Sequence, residues 1–334
     1  MIRMGTVGTN WITQQFVEAL DLSGRYELAG VYSRHQDTAD AFAAKNHAQT
    51  SYTDYEEMLD QADLDAVYIA SPNSLHFDQA RAAIARDISI IVEKPAFSNR
   101  REMVAIQAEL AQHPQVKFFE AARHVHTPNF QVLSKALLGL PTIQGAALTY
   151  MKYSSRYDLV LDGEVPNVFS RHFSAGALAD LGVYPIYLAV ALFGQPDHVQ
   201  YFPTWIATGV DGKGVAILRY TGFDITVSFG KTSNSDAPSE IYGLRETVSL
   251  DSAGELTHVE ERAADGTVTD LSEPELANPM LPEANDFARV LDAPTDPQNL
   301  ADYRRWLQWS TIVNQVLYSL RVSANLRFPA DEND

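Results

Sequence analysis

The first 120 or so residues alternate two hydrophobic periods, and that alternation limits the chain to few folds. Short apolar runs stand at Ile2–Val7, Leu28–Tyr32, Ala66–Ala70, Ile88–Val92 and Val116–Phe119. Between them lie stretches of helical spacing, at about residues 11–22, 36–45, 54–61, 75–86 and 99–112. A strand that is followed each time by a helix returns beside its neighbour only by a crossover. The strands therefore run parallel, and helices cover both faces of the sheet. The stretch TDYEEML opens one of these helices, with Thr53 expected as its cap and Glu56 three residues later completing a capping box.

Beyond about residue 123 strands follow strands. Candidates are Ile143–Tyr153, Val199–Ala207, Val215–Tyr220, Asp224–Phe229, Ile241–Leu250 and Glu255–Glu261. Turn pairs separate them, such as Thr221-Gly222, Ala253-Gly254 and Asp265-Gly266. This texture predicts a large, mainly antiparallel open sheet with a few helices. A helix from about Asn299 to Ser323 carries Trp306, Trp309, Val313, Val316 and Leu320 at spacings of three and four, a core-facing stripe. The final PADEND is expected to be a solvated tail. A length of 334 residues suits two domains, read here as an α/β dinucleotide-binding domain over 1–122 and an α+β substrate-binding and oligomerisation domain over 123–334.

Composition narrows the partners. The net charge of −18 argues against nucleic acid and anionic membranes. It leaves room for an anionic cofactor, because backbone N–H groups at a local site outweigh the global field at short range. Cysteine is absent, so there is no disulfide or cysteine-built metal site, which suits a reducing cytoplasm. No signal peptide and no membrane span is expected. A metal at His124 and His126 would need a third ligand, and the sequence offers none in view, so no metal is assigned.

The loop MGTVGTNW sits where a glycine-rich phosphate loop belongs, between the first strand and the first helix. Gly5, Gly8, Thr9, Asn10 and Trp11 are its candidate cofactor-binding residues, although Trp11 holds the place of a third glycine. Free N–H groups and the dipole of a helix start favour a pyrophosphate there. The second strand ends GVYSRH, with Ser33 and Arg34 where many NAD sites have an acidic residue for the ribose 2′-hydroxyl. A carboxylate would repel a 2′-phosphate; Ser33 and Arg34 would bind it. NADP is therefore expected, with NAD the alternative.

Two further strand ends point to the same rim. DAVYIASPNSLH ends at Ser71, Pro72 and Asn73, with His76 in the following helical turn, and ISIIVEKP ends at Glu93-Lys94-Pro95. In an open parallel sheet, ligands bind outside the carboxyl ends of the strands. A lysine at the inner end of a central strand is costly unless it is paired or used. A cis bond between Lys94 and Pro95 fits a tight turn.

At this point the chain resembles the Gfo/Idh/MocA family of oxidoreductases, on GTVGTNWI, SPNSLH, VEKPAFS, FFEAARHVHTP and SAGALADLGVYPI. The likeness spans most of residues 1–190. Tyrosine at 184, where others have histidine, resembles the glucose-fructose oxidoreductase and dihydrodiol dehydrogenase branch. The resemblance implies hydride transfer between a nicotinamide and a secondary alcohol or carbonyl of a sugar, polyol, inositol or diol. Asp180 and Tyr184 stand four residues apart, on one face of a regular helix. The resemblance implies that they meet Lys94. Tyr184 and Lys94 then form the acid/base pair, with either as proton donor, and Asp180 orients them.

His76, Arg123, Arg171 and His172 are candidate substrate contacts. Arg123 could equally pair with an acidic neighbour. Ala175-Gly176 replaces the family's usual Gly-Gly. The other face of the second sheet resembles the family's oligomer interface, which predicts a dimer or tetramer. The rival from another class is a non-catalytic NAD(P)-binding regulator on the same fold.

Overall fold

The computed structural model describes residues 1–332. The chain forms two compact units, residues 1–123 with 276–308, and residues 124–275 with 309–334. The sequence reading gives segment 276–308 to the second domain; in the fold it belongs to the first unit, because its helices pack there.

The first unit alternates strand and helix: β1 (Ile2–Val7), α1 (Trp11–Ser23), β2 (Tyr26–Tyr32), α2 (Gln36–Lys45), β3 (Thr50–Tyr52), α3 (Tyr55–Gln61), β4 (Ala66–Ile69), α4 (His76–Ile84), β5 (Ser89–Glu93), α5 (Arg100–Leu110) and β6 (Phe118–Ala121). All strand pairs are parallel, in the order β3-β2-β1-β4-β5-β6. The strand order reverses between β1 and β4, and such a switch point opens a crevice at the carboxyl ends of the strands. β3 escapes the sequence pattern because it is a three-residue edge strand without an apolar run. The cap of α3 is Asp54, whose side chain accepts from Glu57 N at 3.1 Å, and not Thr53.

Each face of this sheet has its own core. On one, Val7, Ile69, Ile90, Val92 and Phe118 pack with Met58, Ala83, Phe97 and Met103. On the other, Phe16 stacks on Tyr68 at 4.0 Å.

The second unit contains α6 (Pro128–Gly139), β7 (Gly145–Met151), α7 (Arg156–Leu161), α8 (Val183–Phe193), β8 (His198–Trp205), β9 (Asp211–Tyr220), β10 (Phe223–Gly230), β11 (Ser239–Tyr242), β12 (Thr247–Leu250), β13 (Val259–Arg262) and β14 (Val268–Asp270). Its sheet runs β14-β13-β12-β11-β7-β10-β9-β8. Only the β7–β10 pairing is parallel.

The expected strand Ile241–Leu250 is two strands. A turn folds β11 back on β12, with Gly243 N donating to Glu246 O at 2.9 Å. The expected strand Glu255–Glu261 keeps only its second half. Leu256 is left-handed at φ 54°, and Asp251 Oδ1 accepts from Thr257 N and His258 N at 3.0 Å each, which makes a turn.

α8 is apolar on every side and its residues from Val183 to Val190 are buried, so it is a core helix. The stretch Arg171–Phe193 is long and apolar enough to cross a membrane, but 72% of its most apolar window is buried within the protein. Segment 276–308 supplies α9 (Leu281–Asp292) and the start of α10 (Pro297–Ser323). Phe287 of α9 stacks on Phe119 at 4.6 Å within the first unit. Of the α10 stripe, Trp306, Val313, Val316 and Leu320 are buried and Trp309 is half-buried.

The expected tail is partly structured. Pro329–Asp331 form a helical turn, and Asp331 accepts from Nη1 and Nη2 of the buried Arg321 guanidinium at 2.6 and 3.1 Å. Asn333 and Asp334 lie outside the described residues.

Candidate functional site

Within the first unit, the glycine loop works through one glycine. Gly8 has φ +102°, and a Cβ there would lie 3.0 Å from Ala70 O. Gly5 lies inside β1, where a Cβ would meet Leu64 Cδ1 at 2.6 Å, so it serves packing rather than the loop. Asn10 caps α1: its Oδ1 accepts from Ile12 N at 2.9 Å and Thr13 N at 3.1 Å, while its Nδ2 donates to Ala70 O at 3.1 Å. Asn10 is thereby committed to shaping the loop. Thr9 is half-buried beside it, and Trp11, the first residue of α1, is 73% exposed.

At the end of β2, Ser33 is half-buried and Arg34 is exposed. The Arg34 side chain makes no hydrogen bond or ion pair among the described residues, so it is available to an anion. At the end of β4, Ser71 Oγ donates to Gln79 Oε1 at 2.6 Å, and Pro72 leads into the helical turn Asn73–Leu75.

His76 is fully buried. Its Nε2 donates to Ser71 O at 2.8 Å, and its Nδ1 lies 3.2–3.3 Å from the carbonyls of Ala96 and Pro95. Burial pushes its pKa below the usual histidine range. This geometry makes His76 a tie between the β4 loop and the β5 loop.

The charged pair at the end of β5 splits in direction, as alternation requires. Glu93 turns inward, buried, and Tyr68 Oη donates to its Oε1 at 2.5 Å. Burial raises the Glu93 pKa against the opposing pull of Lys94, Tyr68 and Arg123. Glu93 is thus anchored internally by Tyr68. Lys94 is half-buried and is followed by a cis bond to Pro95. Ala96 N donates to Glu120 Oε1 at 2.9 Å, which fixes the exit from the turn.

Arg123 is buried, and its Nη1 donates to Gln15 Oε1 of α1 at 3.3 Å. Glu93 and Glu283 both lie within the field of its charge. Glu283 was not legible as special in the sequence. It is fully buried in α9, and neither carboxyl oxygen has a hydrogen-bond partner among the described residues. Burial first, and the charge of Glu93 second, hold its carboxyl well above the usual range.

In the second unit, Leu178–Gly182 form a π-helical turn that runs into α8. Asp180 lies in that wider turn and Tyr184 in the first turn of α8, so regular α spacing does not govern the pair. A π turn of this kind is often found at functional sites. Gly176 supports it at φ +135°, where a Cβ would fall 2.1 Å from Asp211 Oδ1. Asp211 is fully buried and its Oδ2 accepts from Leu178 N and Tyr201 Oη, both at 2.6 Å. Tyr184 is buried, with its ring 5.1 Å from His124 and 5.3 Å from Tyr150. His124 Nε2 donates to Tyr184 O at 3.0 Å.

Asp180 Oδ2 lies 2.5 Å from Lys231 Nζ. Sequence reasoning missed Lys231, although a signal existed: like Lys94, it closes an apolar strand pattern, DITVSFGK.

Of the remaining candidates, Arg171 is exposed, and its Nε and Nη2 donate to Arg327 O at 3.0 and 2.7 Å. That bond makes it a clamp within the second unit. His172 is exposed, with its ring 4.9 Å from Phe173. His124 and His126 are buried, His124 in a helical turn rather than in extended chain. Among the described residues no group of three or more His, Cys, Asp or Glu is placed to hold a metal ion.

Residues 2–121 match the model of an oxidoreductase family with an NAD-binding Rossmann fold, and residues 147–249 match a GFO/IDH/MocA C-terminal domain. The chain is 40% identical to the uncharacterized oxidoreductase YgjR of Escherichia coli K12, over 99% of both chains. It is 36% identical to scyllo-inositol 2-dehydrogenase (NADP(+)) IolU of Bacillus subtilis 168, over 99% of this chain and 100% of that one. Among solved structures, KijD10, a 3-ketoreductase from Actinomadura kijaniata in complex with NADP and TDP-benzene, superposes with a TM-score of 0.83. That likeness covers 96% of this chain and 97% of KijD10 at 20% identity, and is a likeness of fold.

Proposed function

The chain belongs to the Gfo/Idh/MocA family of oxidoreductases, and from that premise we propose that it transfers a hydride between NADP and a secondary alcohol, or the matching carbonyl, of a polyol. Inositols lead, since the inositol dehydrogenase relative matches along its whole length; sugars and diols follow. The observation that carries the reading is the rim at the carboxyl ends of β1, β2, β4 and β5, where Gly8, Arg34, Asn73 and Lys94 stand beside the switch point.

The rim fits the cofactor. At Gly8 the left-handed backbone and the nearby Ala70 carbonyl leave no room for a side chain, the start of α1 offers N–H groups to a pyrophosphate, and Arg34 stands where a 2′-phosphate needs a cation. NAD, which lacks that phosphate, remains the weaker candidate. When bound, the cofactor supplies the nicotinamide carbon that gives or accepts the hydride.

The chain's own residues handle the proton. A phenol with its ordinary pKa near 10 is a poor base at neutral pH, and a neighbouring ammonium favours its ionised form. In this reading Tyr184 holds or releases the proton at its phenol oxygen. Lys94 steadies charge on the alcohol oxygen, and Asp180 orients the pair. The roles of Lys94 and Tyr184 can be exchanged without changing the chemistry.

The outer face of the second sheet carries Phe202, 59% exposed, opposite Val215, 37% exposed. Apolar side chains there suit burial against a second copy, as a dimer or a tetramer. A cytoplasmic location suits the cysteine-free sequence.

Fluorescence titration with NADPH and NADH, followed by a polyol, sugar and diol panel with the tighter cofactor, tests the proposal. Tighter NADPH binding and turnover of a vicinal polyol are expected. Binding without turnover across the panel would overturn hydride transfer in favour of a cofactor-binding regulator.

A further inference from the structure

Lys231 follows directly on β10, an interior strand of the second sheet, and its side chain is only 2% exposed. A buried ammonium must find acceptors or lose its charge. Lys231 finds them in Asp180 and the Val168 carbonyl. Its Nζ lies 2.5 Å from Asp180 Oδ2, donates to Val168 O at 3.1 Å, and sits 4.3 Å from the centre of the Phe169 ring. Its backbone is fixed too, with its N–H donating to Gly212 O at 2.8 Å and its carbonyl accepting from Ser154 N at 2.9 Å.

The pair is asymmetric. Lys231 is closed off from solvent, while the side chain of Asp180 keeps 34% of its surface open. A buried ion pair is weak evidence for stability, because desolvation offsets most of the attraction. What such a pair supplies well is direction: a rigidly seated cation fixes one oxygen of a carboxylate and so sets where the other points. Asp211 also lies within the field of Lys231, with its Oδ2 accepting from Leu178 N and Tyr201 Oη and its Oδ1 buried without a hydrogen-bond partner among the described residues. Asp180 is the carboxylate within ion-pair distance of the ammonium.

We propose that Lys231 is a positioning residue, whose ammonium grips Asp180 from within the second unit and sets the carboxylate's orientation for the reaction in which Tyr184 takes part. This rests on the reading that Asp180 and Tyr184 serve hydride transfer. It adds a second lysine, besides Lys94, that turnover requires.

The test is a kinetic cycle on the full-length protein with NADP(H) and the best polyol, using K231M, D180N and the double variant. K231M is expected to lower kcat tenfold or more while the dissociation constant for NADPH moves less than twofold. In the D180N background the same change should alter kcat less than threefold, since the residue acts through Asp180. A purely structural lysine would lower kcat equally in both backgrounds, and that result overturns the proposal. So does a K231M kcat within threefold of the native value. If K231M alone fails to fold, the double variant lacks both charges of the pair, and its kcat against D180N decides. A matching kcat supports the proposal, and a tenfold lower one overturns it. Native turnover in D180N would sink the assignment of Asp180 that lies beneath, whereas loss in D180N with none in K231M would sink this inference alone.

Discussion

Tyr68 Oη donates to Glu93 Oε1 at 2.5 Å, and both residues are buried under the carboxyl ends of β4 and β5. The acid beside Lys94 thus faces the interior and braces the segment that presents the lysine. Y68F removes a donor to a buried carboxylate. It should lower unfolding stability by about 1–3 kcal/mol, read by urea denaturation. A variant as stable as the native protein would show that Glu93 does not depend on this bond.

Glu283 gives the protein a pH-dependent weakness. Its folded carboxyl is held well above the usual range by burial and by Glu93, while in the unfolded chain it titrates normally. Between those two values the folded state binds more protons than the unfolded one, so stability falls as pH rises. The stabilisation is complete below the ordinary carboxylate range and is lost as pH climbs through the raised value. E283Q mimics the neutral acid. It should therefore unfold at higher urea than the native protein at pH 8, and its stability should slope less between pH 5 and 8. Parallel slopes would contradict this.

Arg34 stands exposed at the end of β2. In the proposed cofactor site, R34A should raise the dissociation constant for NADPH about 10- to 100-fold, the worth of a hydrogen bond to a charged group. NADH binding should move less than threefold. Equal losses for both cofactors would place Arg34 on something other than a 2′-phosphate.

Lys94 and Tyr184 are each assigned a part in moving one proton. K94A and Y184F should each lower kcat by about 10²–10⁴-fold, the usual contribution of general acid–base catalysis. Y184F should leave NADPH binding intact. Near-native turnover in both variants would remove the pair from the mechanism.

The parallel sheet was legible because its strands are buried on both faces and read as unbroken apolar runs. The edge strand β3 was not, since an edge needs no such run. Ile241–Leu250 reads as one strand because apolar residues continue across a turn that depends on Gly243 and Glu246. The site divides similarly. Gly8, Arg34, Lys94 and Tyr184 announce themselves by their place after strands or in a motif. Asn10 and His76 belong to the same motifs but spend their polar atoms on backbone groups, and only geometry separates a loop's scaffold from its contacts. Glu283 is set by neighbours distant in sequence, so no local pattern reveals it, while Lys231 shows only the strand-end position that it shares with Lys94.

The turn Pro329–Asp331 works as a clasp. Asp331 closes on a guanidinium that lies 4.2 Å from the centre of the Phe328 ring, with side-chain exposures of 4% and 3% for the two charged residues. Trimming the chain before Asp331 would leave Arg321 sealed in with its countercharge gone. An affinity tag spliced in at that point would pry the clasp open. Fusions for purification or labelling therefore belong at the amino end, or behind a spacer that leaves Asp331 in place.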